Sequence, residues 1–168
     1  VNEPPPDLDT STPDASNLVV EITIDERVHT PINTSLVTMA ARAAALQQGF
    51  DRGELGVRIT DDATIRQINA KHLDHDFETD VISFGYTASG SMIEGELVAS
   101  VDTARARSSE LGWSIDHELA LYVVHGVLHI AGLDDQDATD RAEMRRCETE
   151  VMTTLGITDI VRFGADAV

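Results

Sequence analysis

From Leu18 to Ile24 the chain reads Leu-Val-Val-Glu-Ile-Thr-Ile, rich in β-branched residues and alternating in its second half, which predicts a strand. A Thr34 or Ser35 cap, the alanine-rich Met39–Leu46 and then Gly49 predict a helix with a glycine stop. Leu55–Thr60 reads as a second short strand, and Asp61 or Asp62 then caps a helix running through Ile65 and Ile68 to about His72. Val81–Tyr86 and Glu96–Val101 read as a strand pair joined by the Gly/Ser-rich loop Thr87–Ile93. Three helical stretches complete the chain: Asp102–Leu111, Ser114–Ala131 and Asp137–Leu155. Strands confined to the first 101 residues and a helical remainder predict an α+β fold, a small mixed sheet flanked by helices.

The proline distribution sets the domain boundary. Four of the five prolines (Pro4, Pro5, Pro6, Pro13) fall in the first 13 residues beside Glu3, Asp7, Asp9 and Asp14, with no basic residue among them. Residues 1–17 therefore read as a flexible acidic, Pro-rich tail, and 18–168 as a single domain. A length of 168 residues, 42% hydrophobic and 25% charged, suits one domain with a real core. The net charge of −18 makes the surface as a whole repel nucleic acid and anionic membranes, so binding of any polyanion requires a local basic or metal-bearing cleft. A membrane span of about 20 apolar residues is absent, since the longest apolar run, within Leu119–Ile130, is broken by two histidines and a glycine. Cys147 is the sole cysteine and no charged-then-apolar leader precedes the body, so a reducing cytoplasm is the expected location. Cys147 itself has no sequence-neighbouring histidine and reads as a packed thiol.

Chemistry concentrates in His125-Gly-Val-Leu-His129-Ile-Ala-Gly132-Leu-Asp134-Asp135. Histidines four residues apart stack on one helix face, the spacing that lets two imidazoles hold one metal ion. Gly132 tolerates left-handed geometry at the helix end, so the chain can reverse and return Asp135 to the histidines. Two imidazoles and one carboxylate leave the fourth position of a tetrahedral zinc open, the mark of a catalytic site. The predicted set is one Zn2+ per chain held by His125, His129 and Asp135 on a late helix, with His125 also counted as catalytic. The spacing is that of metzincin proteases, but those enzymes place a glutamate after the first histidine as general base, and here Gly126 stands there.

Two blocks of residues together resemble the YbeY-type rRNA maturation factors. One is His125-Gly-x-Leu-His129-x-x-Gly132-x-Asp134, with Met144 and Glu148 following at the spacing of that family's last helix. The other is Asn69 followed by Thr79-Asp80-Val81-Ile82-Ser83-Phe84, and Gly95-Glu96-Leu97-Val98 lies between the blocks. The resemblance, over about Leu18 to Ile157, implies a zinc-dependent endoribonuclease of α+β fold that processes the 3′ end of small-subunit rRNA and serves ribosome quality control. It implies rRNA and the small ribosomal subunit as partners, with ribosomal proteins or an assembly GTPase beside them, and neither membrane nor DNA. The chain departs from the family twice: Asp135 replaces the usual third histidine, and Leu73 replaces an arginine thought to hold RNA phosphate. A carboxylate binds zinc at about the same distance as an imidazole, but its charge is expected to make the bound water a weaker acid.

Other residues carry two readings each. Asp80 and Ser83 suit hydrogen bonds to a ligand histidine or to RNA phosphate; alternatively Thr79 and Asp80 form a turn entering a buried strand. Asp134 is either a partner that holds a ligand imidazole or a turn acid after the capping glycine. Lys71, Arg105 and Arg107 are candidates to replace the missing arginine, and His72 and His75 flank its position. With aromatics at 4% and Trp113 the sole tryptophan, RNA would be gripped by its backbone and not by base stacking. Two alternatives stay open: a ribosome-assembly or RNA-binding factor with a structural or vestigial zinc, and a zinc hydrolase of another substrate such as a peptidase.

Overall fold

The computed structural model describes residues 16–73 and 79–162, the side chain of Leu73 excepted. Within it the elements run β1 (Asn17–Ile24), α1 (Thr34–Gln47), β2 (Arg52–Thr60), α2 (Asp62–Leu73), β3 (Val81–Ser89), β4 (Met92–Ser100), α3 (Val101–Leu111), α4 (Ile115–Ile130) and α5 (Ala138–Thr154). The fold is α+β, as the pattern predicts. The four strands form one mixed sheet in the order β1-β2-β4-β3, with β1 parallel to β2, β2 parallel to β4, and β3 antiparallel to β4.

Alternation along β4 divides the core. Leu97 and Ala99 face the main cluster with α1, α4 and α5, whereas Val98 faces the other side, where Ile65 of α2 and Ile82 of β3 bury a smaller cluster. Helix α4 is apolar nearly all round, with Leu119, Ala120, Val123, Val124, Val127 and Leu128 without solvent contact, because it lies between the sheet and helices α1, α3 and α5. Its position over the sheet is set by missing side chains. A Cβ on Gly126 would lie 2.6 Å from Leu97 Cδ2 and 3.0 Å from Ser83 Oγ, and one on Gly95 would lie 2.7 Å from the Phe84 carbonyl oxygen and 2.8 Å from Ile130 Cδ1. Gly126 and Ile130, one turn apart, thus form the seam with β3 and β4. His125 and His129 precede them by one residue, a rotation of about 100°, and turn out of the seam.

Several predicted boundaries shift for local reasons. Asn33, and not Thr34 or Ser35, caps α1: its side chain accepts from the Leu36 N–H at 3.1 Å, while its own N–H donates to Asp116 Oδ1 of α4. Asn17, assigned to the tail, opens β1, and Leu18 is buried; Ser16 Oγ accepts from the Leu18 N–H and from Arg42 Nη1. The rest of the expected tail, residues 1–15, lies outside the described residues. The expected loop Thr87–Ile93 is mostly strand: β3 runs to Ser89 and β4 starts at Met92, so only Gly90 and Ser91 turn, with Gly90 at φ +60°. Its small polar residues mark the solvent-facing end of an edge strand instead.

Candidate metal centre

The end of α4 builds the centre. The helix stops with the Gly132 N–H on the His129 carbonyl and the Leu133 N–H on the Leu128 carbonyl, and Gly132 adopts φ +108°, which reverses the chain. The reversal carries the Leu133 carbonyl onto the His129 ring, whose Nδ1–H donates to it at 2.9 Å, and it brings Asp135 up to both histidines. On the other ring, His125 Nδ1–H donates to Glu148 Oε1 at 2.7 Å.

These two bonds fix the tautomers. Both Nδ1 atoms face oxygens that accept, so in the neutral rings both Nε2 atoms carry lone pairs. The two Nε2 atoms lie 3.0 Å apart, and Asp135 Oδ2 lies 3.4 Å from each. Three electron-rich atoms converging with no proton among them repel one another unless a cation sits at their centre. With zinc bonds of about 2.0–2.1 Å, tetrahedral ligands are about 3.3–3.4 Å apart, so this set fits zinc with one position left over. Among the described residues, His125, His129 and Asp135 are the group of metal-ligating side chains that meets in this way.

Burial opposes the charged form of His125, but the hydrogen bond and charge of Glu148, with Asp135 and Asp80 adding to them, outweigh it and hold the ring's pKa above the ordinary histidine value. In the metal-free protein this contributes stability that is complete below the unfolded pKa of about 6.5 and lost as pH rises through the folded value. Zinc needs the unprotonated ring, so zinc binding is expected to run the other way and weaken on acidification. Melting curves with and without zinc between about pH 5.5 and 8 check this; an equal zinc-induced rise across that range would contradict it.

The centre opens on a cavity of about 330 Å³ walled by His125, Asp135, Glu148 and Met144, and by Asp80, Arg107, Glu118, Tyr122, Arg141, Arg145 and Arg162. Four arginines, a third of the 12 basic residues of the chain, therefore meet four carboxylates there. Arg107 Nη1 donates to Asp80 Oδ2 at 2.9 Å, and Arg141 Nη1 donates to the Asp135 carbonyl at 3.3 Å. Glu118 accepts from Trp113 Nε1 at 2.6 Å, which ties the tryptophan to a residue of the cavity wall. Burial pushes the Glu118 carboxyl up despite that bond and the charge of Arg107. The buried Tyr122 hydroxyl lies on the same wall, and burial and then the charge of Glu118 push its pKa up.

The remaining predicted residues are placed as follows. Asp80 does not reach a ligand histidine; its Oδ1 accepts from the Val81 N–H and its Oδ2 holds Arg107 against the cavity. Ser83 lies in the seam with its Oγ toward Gly126, away from the cavity wall. The place offered to Asp134 beside an imidazole is taken by Glu148 on one ring and by the Leu133 carbonyl on the other. Asp134 is exposed and accepts from the Asp135 N–H, which makes it a turn acid. Of the three candidate cations only Arg107 is on the cavity; Arg105, two residues away and so on another face of α3, bonds to Asp102 and Thr30. His72 stacks edge-on against Phe84 on the opposite sheet face, and the Leu73 side chain and His75 lie outside the described residues. Cys147 is buried, with Gln48 Nε2 3.6 Å from its sulfur.

The local sequence pattern assigns no role to Glu148, Glu118, Tyr122, Arg141, Arg145 or Arg162. Glu148 alone was signalled there, by its spacing after the histidines.

Comparison with known proteins places this arrangement in a family. Residues 15–156 match the family described as Endoribonuclease YbeY. The chain belongs to that family. An Endoribonuclease YbeY of Rhodopirellula baltica is 46% identical over 154 residues, covering 85% of this chain and 79% of that one. Another, of Pelotomaculum thermopropionicum, is 35% identical over 151 residues, covering 85% and 96%. The solution structure of TM1509 from Thermotoga maritima aligns with a TM-score of 0.55 over 82% of this chain and 92% of that chain, and at 17% identity it shows a shared fold. The YbeY match ends at residue 156, so Arg162 lies past it.

Proposed function

We propose that this chain is a zinc-dependent endoribonuclease of the cytoplasm that trims ribosomal RNA precursors at the 3′ end of the small-subunit RNA and serves ribosome quality control. The small ribosomal subunit is its partner, with ribosomal proteins or an assembly GTPase alongside. Family membership supports RNA cleavage. The observation that supports a metal-dependent reaction on RNA is that three converging candidate ligand atoms open onto a cavity where four arginines balance four carboxylates within a chain of net charge −18.

That local balance answers the objection raised by the overall charge. Polyanions are repelled by the bulk of the surface, but the cavity is close to neutral before any ion is present, and a divalent cation held by His125, His129 and Asp135 tips it positive. When bound, zinc would polarise a phosphate oxygen and lower the pKa of a water. The protein's own share is positioning. Asp80 holds Arg107 on the wall, and the turn after Gly132 fixes Asp135. An arginine fork grips phosphate by two parallel bonds, which suits recognition of an RNA backbone without stacked bases.

Zinc-loaded protein incubated with a small-subunit rRNA precursor tests the proposal, with a chelator-treated sample and a casein digest alongside. Endonucleolytic cleavage that stops with the chelator, and intact casein, are expected. Protein that carries one zinc and binds the precursor without cutting it would favour an assembly factor, and digestion of casein would favour a peptidase.

A further inference from the structure

We propose that Arg162 is a positioning residue of the metal centre, acting through Glu148 on His125, so that the chain beyond the family match completes the site. This rests on the reading of His125, His129 and Asp135 as zinc ligands.

After α5 the chain passes Gly156 at φ +81° and buries Ile157, and the following residues bring Arg162 back alongside the helix. There a single nitrogen, Arg162 Nη2, donates to Glu148 Oε2 at 3.0 Å, to the Arg145 carbonyl at 3.3 Å and to Thr149 Oγ1 at 3.3 Å. The Glu148 side chain is only 7% exposed, and its two oxygens are divided between two partners: Oε1 serves His125 Nδ1 and Oε2 serves Arg162. A glutamate's terminal torsion is soft, so one bond alone does not hold the carboxylate plane. The second bond does, and it keeps Oε1 on Nδ1. That contact keeps the proton on Nδ1 and the lone pair on Nε2, where a metal needs it. Removing Arg162 would also take a cation from a buried carboxylate.

Geometry separates this role from direct contact with substrate. All three bonds come from Nη2, while Nε is buried with no hydrogen-bond partner among the described residues. A lysine ammonium has three donors and can replace one nitrogen making three bonds, but it cannot reproduce an arginine fork on phosphate. Arg162→Lys should therefore retain the positioning role.

The test is competition for zinc between the protein and a chromophoric chelator, with melting of the metal-free protein measured beside it. Arg162→Ala is expected to weaken zinc about 10-fold, the lower end for loss of an outer partner of a ligand. Arg162→Lys should recover most of that loss. Glu148→Gln should weaken zinc at least as much as Arg162→Ala, and combining the two should add less than about 2-fold, because one residue works through the other. Should Arg162→Ala fold too poorly to titrate, Arg162→Gln poses the same question at nearly full side-chain length. Parent-like zinc affinity in Arg162→Ala or Arg162→Gln, a loss in Arg162→Lys as large as in Arg162→Ala, or an undiminished Arg162 effect in the Glu148→Gln background overturns the proposal. His129→Ala keeps the two failures apart: undiminished zinc in that variant would mean that the ligand assignment itself is wrong.

Discussion

Replacing His129 by alanine is expected to weaken zinc binding by more than about 100-fold, beyond the cost of losing an outer-sphere partner, and to remove RNA cleavage with it. The ring contributes one of three convergent ligand atoms, and the two that remain, His125 Nε2 and Asp135 Oδ2, sit 3.4 Å apart with half of a tetrahedral shell left open. The same substitution should cost more stability with metal than without. At zinc 100 times the dissociation constant, binding stabilises the parent by about 2.7 kcal/mol, roughly 5–10 °C in melting temperature for a domain of this size. The variant should lose that increment. In the metal-free state it loses the bond from Nδ1 to the Leu133 carbonyl and the 3.0 Å contact between the two Nε2 atoms. Calorimetric melting of both proteins, with zinc and with chelator, checks this; a zinc-induced shift of the same size in the variant would contradict it.

The second large effect falls on a residue with no side chain. Gly126→Ala would place a Cβ against Leu97, which is 1% exposed and has little room to give, and against Ser83 Oγ. Overpacking of this kind costs about 1–3 kcal/mol, roughly 2–12 °C here. Gly126→Glu, which would install the glutamate of the His-Glu-x-x-His proteases, forces a carboxylate into the helix–sheet seam and should prevent folding altogether. The absence of that glutamate is therefore a packing requirement of this fold, since the position next to His125 faces β3 and β4 and not the cavity. Chemical denaturation of Gly126→Ala measures the effect, and a midpoint equal to that of the parent would show that the seam is looser than its distances say.

The histidine pair and its returning aspartate were legible in the chain because they depend on local geometry: four residues to a helix turn, then a glycine reversal over the next three. The order of strands and helices was legible for the same reason, through periodicity. Long-range pairing was not. Glu148 holds His125 from another helix 23 residues away, and Arg162 reaches Glu148 from past the end of that helix, where nothing in the local pattern marks it as more than an exposed cation. Arg105 and Arg107 looked equivalent until α3 was placed, after which one faces the cavity and the other Thr30. The turn of the β3–β4 hairpin is not legible in the chain, because glycine and serine signal both a long loop and the polar end of an edge strand, and composition alone does not distinguish them. Asp134 and Asp135, adjacent and chemically identical, were separated by counting from Gly132, and the structure places Asp135 near both histidines and leaves Asp134 in the turn.

One titration tests that register. Zinc is competed against a chromophoric chelator in the parent, Asp135→Ala and Asp134→Ala under identical conditions. A loss above about 100-fold is expected for Asp135→Ala and a change of no more than a few-fold for Asp134→Ala, because the first removes a proposed ligand and the second only a bond within a turn. An equal or larger loss in Asp134→Ala would contradict the assignment of Asp135, and with it the geometry on which the proposed chemistry rests.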